Sequence, residues 1–135
     1  MQYLIDSDWV IDYLRDNYQA FSLLDRLAVE GIAISIITYM EIYEGVARSP
    51  DPNESQRKLS AFLETVSVLP FSLVTAQRCA HLRDDLRRQG KRVNSRALDL
   101  LIAATALEYD LVLVTRNLED FQDILDLKLY QPDQI

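Results

Sequence analysis

One cysteine, one histidine, three glycines and four prolines in 135 residues close off several classes of protein at the start. A lone Cys79 cannot form an internal disulfide, which agrees with a reducing compartment, and its helical pattern reads as a small buried side chain. With His81 as the only imidazole, a histidine-rich metal site or a serine triad would rest on one unsupported residue, and we read His81 as helix surface. So few glycines and prolines favour helices joined by short connections over an all-β fold of many turns. The N-terminus lacks the basic and apolar regions of a signal peptide, and no stretch approaches the ~20 apolar residues that span a bilayer. The expectation is a cytoplasmic protein with no membrane partner.

Positive charge is also scarce. Fourteen basic against twenty-one acidic residues give a net charge of -7, the wrong sign for binding nucleic acid by bulk attraction. The basic residues are nevertheless clustered, and "RDDLRRQGKRVNSR" at 83 to 96 carries six of them. Either this run is a solvated helix face, locally compensated by Asp84 and Asp85, or Arg87 and Arg88 are phosphate contacts.

What is present reads as one ordinary globular domain spanning 1–135, with 49% apolar and 26% charged residues. Short apolar strands are expected at 2–6, 32–36, 67–71 and 111–115, with "LKLY" at 127–130 as a last strand on the sheet edge. Helical spacing is expected at about 8–15, with Trp9 and Tyr13 inward and Val10 a further inward candidate. Further helices are expected at about 18–29, 38–48, 53–66, 76–90 and 95–109. Strands alternating with helices imply an α/β architecture: a mostly parallel sheet of four to five short strands covered on both faces. Ligands collect beyond the carboxyl ends of such strands, near the point where strand order reverses.

Four oxygen-bearing positions fall at such places. "YLIDSDWVID" ends a strand in Asp6, with Asp8 as helix cap and Asp12 as an exposed helix position. "ALDLLIAATAL" at 97–107 is apolar almost all round, so it is a buried helix, and Asp99 is its one ionisable residue. A carboxylate there needs a cation or a metal, and Arg96 at i-3 is the local choice. Thr38 and Glu41 have capping-box spacing, which would return Glu41 to the Thr38 amide, yet the same geometry puts Glu41 at the sheet edge where Asp6 emerges. Asn117 and Asp120 follow the 111–115 strand, in what is otherwise an Asx turn. Taken together, an all-oxygen set suits Mg²⁺ or Mn²⁺ and not zinc.

"LIDSDWVID", "TYMEIYEG", "DLLIAATA" and "LVTRNLEDF", in this order, resemble the PIN-domain nucleases, and among them the VapC-type toxins of toxin-antitoxin pairs. The resemblance covers nearly the whole chain. It implies a three-layer PIN-like fold and an Mg²⁺-dependent endoribonuclease, with Mn²⁺ as an alternative. It also implies a cognate antitoxin, an RNA substrate and a homodimer. It carries the family's acids onto Asp6, Glu41, Asp99 and, in the least regular loop, Asp120, with Asn117 the alternative there. Arg87, Arg88 and Arg116 are the candidate substrate contacts. Tyr13, Tyr18 and Phe21 are candidates for a peptide groove, with core packing the expectation for at least two of them. Two rivals stand beside this: a haloacid-dehalogenase-like phosphatase using Asp6 and Asp8 with Thr115, and a non-catalytic PIN-like partner-binding module.

Overall fold

The computed structural model describes residues 1–131. Four strands, β1 (Tyr3–Ile5), β2 (Ile32–Ser35), β3 (Ser67–Leu69) and β4 (Val112–Val114), form one sheet in the order β3-β2-β1-β4, every pairing parallel. Parallel neighbours need crossovers, and the described residues form six helices: α1 (Ser7–Leu14), α2 (Tyr18–Leu27), α3 (Ile36–Ala47), α4 (Pro52–Leu63), α5 (Leu73–Arg88) and α6 (Ala97–Glu108).

Strand parity divides the core into two layers. Leu4, Ala33 and Leu113 lie side by side in register and pack with Cys79 and Leu86 of α5 and Leu100, Ala103 and Ala104 of α6. Their neighbours Ile5, Ile34 and Val114 point the other way, against Val10 of α1, Leu24 of α2, Ile42 of α3 and Phe62 of α4. Covered on both faces, "IAIS" is buried at every position, as a strand of a parallel sheet should be. Full burial of Leu4, Ile5, Ile34, Leu100 and Leu113 contributes roughly 1.5–3 kcal/mol per side chain relative to exposure.

Several local expectations change. Val10 is fully buried, while Trp9 and Tyr13 are only half-buried. The cap of α3 is Ser35, whose Oγ accepts from the Thr38 amide at 2.9 Å, so the helix begins two residues before Thr38. α4 starts at Pro52 under an Asp51 cap instead of near Asn53, a start that suits proline because N1 needs no amide. Residues 127–130 form no strand: Leu129 makes one parallel bridge to Leu113. Gly31 turns the chain into β2 at φ +99°, and a Cβ there would stand 3.0 Å from the Met1 backbone. Among the described residues no helix is long and apolar enough to cross a membrane.

The winding places the candidate site. From β1 the chain moves through β2 to β3, then β4 returns to the far side of β1, so strand order reverses between β1 and β4. Their carboxyl ends are joined by the Asp6 amide, which donates to the Val114 carbonyl at 2.9 Å.

Candidate acidic site

Asp6 leaves β1 in an extended conformation and is itself the cap of α1, a role expected of Asp8. One carboxylate oxygen accepts from the Ser7 amide at 2.8 Å and the other from the Thr115 hydroxyl at 2.7 Å. Only 6% exposed, the group is pushed up to about 6, chiefly by loss of water. The Thr115 and Ser7 bonds oppose that shift, while the negative fields of Asp8 and Glu41 add to it.

Asp99 lies in the first turn of α6 and is half-buried. Its carboxyl is pushed up to about 7, first by burial and then by the fields of Asp6 and Asp120. Glu41 sits in the second turn of α3, too far along to cap it. Its Oε1 is buried without a hydrogen-bond partner among the described residues. Burial raises this carboxyl too, with Glu44 and Asp8 contributing and Ser7 working the other way.

The fourth position is a different environment. Asp120 closes a 3-10 turn, Leu118–Asp120, and accepts from Arg92 at 2.7 Å and from the Asn117 side-chain amide at 2.5 Å. The Arg92 guanidinium first, then Asn117, hold its carboxyl below the usual carboxylate range. Asn117 and Asp120 are thus bonded to one another at the same edge. Among the described residues Arg96 makes no ion pair with Asp99; its guanidinium instead grips both oxygens of Asp123 at 2.7 and 2.8 Å.

The remaining candidates differ in how far their own fold engages them. Asp8 accepts from the Trp9 amide at 2.7 Å and from the Arg116 amide at 3.3 Å. Asp12, expected to be exposed, is half-buried and pairs with the Arg116 guanidinium, which also lies 3.9 Å over the Trp9 ring. Arg116 is thus engaged by its own fold. Arg88 pairs with Asp84 at 2.9 Å on the outer face of α5, and Arg87 is exposed beside it. Tyr13 packs between Phe21 and Phe62, but Tyr18 is 79% and Phe21 50% exposed, so core packing claims one of the three aromatics and not two. Thr115, expected only as a phosphatase threonine, instead fixes Asp6; its position directly after β4 is the signal that marks it. Asp123 carries no motif or spacing that marks it in the sequence.

Among the described residues no three acids, histidines or cysteines stand close enough together to hold a metal ion as placed. The donor chemistry still fits a hard divalent cation. Asp6, Glu41 and Asp99 are oxygen donors that share one field, none is paired with a lysine or arginine among the described residues, and the buried Glu41 Oε1 has no hydrogen-bond partner there.

A parallel three-layer fold with carboxylates at its switch point defines the class. The PIN domain model matches residues 3–125, and the chain belongs to that family. Ribonuclease VapC2 of Rickettsia felis is 32% identical across 99% of this chain and 100% of its own length. Among solved structures, VapBC2 from Rickettsia felis bound to a DNA fragment from their promoter superposes with a TM-score of 0.86 at 30% identity, over 96% of this chain and 98% of that one. A toxin-antitoxin complex from Klebsiella pneumoniae matches at 30% identity with a TM-score of 0.71, over 92% and 93% of the two chains.

Proposed function

We propose that this chain is the endoribonuclease toxin of a toxin-antitoxin pair, hydrolysing RNA phosphodiesters at the acidic edge of its sheet. The observation that carries the reading is the set of uncompensated carboxyls, Asp6, Glu41 and Asp99, delivered by three separate elements to the switch point. Membership in the PIN family and the ribonuclease relative support it. So does the Klebsiella toxin-antitoxin complex.

Asp6 and Asp99 would hold Mg²⁺, or Mn²⁺ in its place, with Glu41 facing the same space and Asp120 beside Asp99. Bound there, the cation would polarise a phosphodiester and acidify water. Thr115 and the Ser7 amide each occupy one lone pair of Asp6, fixing its rotamer while leaving lone pairs on both oxygens. Glu41 is the side chain for orienting the attacking water, since its Oε1 has no competing donor. No side chain need form a covalent intermediate.

The phosphatase reading is less well supported, because Asp8 accepts from the Trp9 and Arg116 amides as a local cap does, and its Thr115 donates to Asp6. A cleft of about 770 Å³ between α1, α3 and α4, lined by Leu14, Ile42 and Val46, reaches Glu41 and is where an antitoxin segment would approach the acids. The test is RNA cleavage in Mg²⁺ by the wild type and by Asp6→Asn and Asp99→Asn. Loss in both supports the reading; retained cleavage in either overturns it.

A further inference from the structure

Arg96 is the most deeply buried cation among the described residues, 3% exposed, and its surroundings are unusually complete. Its Nε donates to the Arg92 carbonyl at 2.8 Å. Nη1 donates to the Asp120 carbonyl at 2.9 Å and to Asp123 at 2.7 Å, and Nη2 donates to Asp123 at 2.8 Å. A single planar fork therefore ties three pieces of chain together: the 3-10 turn entering α6, the turn carrying Asp120, and Asp123 just beyond it. Arg92, whose carbonyl Arg96 holds, also pairs its own side chain with the Asp120 carboxylate.

Stability alone is a poor reason for such an arrangement. Desolvating a guanidinium offsets much of what its ion pair contributes, and apolar replacements of a buried pair are often neutral. What a bidentate pair does supply is geometry, because two parallel bonds fix orientation as well as distance. Here the fixed object is the turn that sets Asp120 against Asp99, whose carboxyls already feel one another. Without the fork, that turn is held to the start of α6 mainly by Arg92, whose side chain is more than half exposed.

We propose that Arg96 and Asp123 form a positioning clamp that sets where Asp120 stands relative to Asp99, and through that spacing sets the affinity of the acidic edge for its divalent cation. Neither residue touches substrate or cation. The proposal rests on the nuclease reading and adds to it two positioning residues outside the set of acids.

The experiment titrates Mn²⁺ into the full chain by calorimetry and measures RNA cleavage for wild type, Asp123→Ala, Asp123→Asn, Asp123→Glu and Asp6→Asn. The clamp predicts that Asp123→Ala and Asp123→Asn weaken Mn²⁺ binding and lower kcat by about 10–100-fold each, as losses behind metal ligands do, with KM for RNA unchanged. Asp123→Glu, which keeps the charge, recovers most of both. Should Asp123→Ala fail to fold, Asp123→Asn, which retains an acceptor, decides between the outcomes. A lowered Tm with wild-type Mn²⁺ affinity and kcat in the folded Asp123→Asn protein would make the pair a stability contact only and overturn the clamp. Cleavage retained in Asp6→Asn is the separate result that overturns the nuclease reading itself.

Discussion

Two aspartates on either side of Arg96 have opposite fates. Asp123 receives two guanidinium bonds and is held below the usual carboxylate range. Asp99, three residues along the chain from the same arginine, receives none and is pushed up to about 7. Loss of water is the first cause at Asp99, whereas at Asp123 the Arg96 bonds outweigh it. The same division runs through the neighbourhood: Arg116 serves Asp12, Arg92 serves Asp120 and Arg96 serves Asp123, while Asp6, Glu41 and Asp99 are left to repel one another. The fold has cations at hand and spends none of them on the inner acids, which is the arrangement expected where a mobile cation must bind.

The largest expected effect tests the inner set. Asp6→Asn and Asp99→Asn, made separately, should each lower RNA cleavage on the order of 10²–10³-fold, the scale for removing one preorganised electrostatic group. At the same time Asp99→Asn should raise the stability of the metal-free chain near neutral pH by about 0.5–2 kcal/mol in urea unfolding, because it removes an uncompensated charge. A loss of stability would break the contrast.

The outer set should behave in the opposite sense. Asp123→Ala leaves the Arg96 guanidinium buried without its carboxylate, and about 3 kcal/mol of stability should go with it. Urea midpoints for this variant and Asp99→Asn, measured together, would move in opposite directions.

pH sharpens the comparison. Asp6 and Asp99 have folded values raised to about 6 and about 7 from 3.8, so the folded chain holds protons the unfolded chain has released. Their contribution to stability is complete below about pH 4 and is lost as pH rises through 6 and 7. The metal-free chain should therefore melt at a lower temperature at about pH 7.5 than at about pH 5.5, and Asp99→Asn should flatten that slope. Asp120 and Asp123, with lowered values, stabilise above the unfolded range and lose that contribution only as pH falls below it. Two opposite slopes in one melting profile are the expected signature.

Much of this was legible from the chain alone. β1 and β4 are buried on both faces, so they read as plain apolar runs, and the acids at their ends stand out. Asp99 was visible for the same reason, as the one charge in an apolar helix. What misled was fixed spacing. Arg96 is at i-3 from Asp99, but it lies in the 3-10 turn before α6 with φ -132°, so its side chain leaves in another direction and meets Asp123, 27 residues away. Thr38 and Glu41 have capping-box spacing, yet Ser35 and Thr38 have it too, and the strand ends one residue earlier than its apolar run. A spacing rule holds only once the first helical residue is known, and that residue is set by where the sheet stops.

The smallest effect belongs to the basic run. Arg88 is tied to Asp84 in an exposed i,i+4 pair, whereas Arg87, in the last turn of α5, borders a shallow hollow with Phe71, Cys79 and Leu101 and has no acidic partner among the described residues. If one of the two meets phosphate, it is Arg87. Arg87→Glu, made in an Asp99→Asn background so that RNA survives, should weaken binding and reduce the salt slope by about 1, the share of one phosphate contact. Arg88→Glu should do less, since Asp84 already screens that charge. Fluorescence anisotropy across a salt series reads both. Equal and unchanged slopes would return the run to a solvated helix face and leave the inner acids, with the cation proposed for them, as the means by which so acidic a chain would meet RNA.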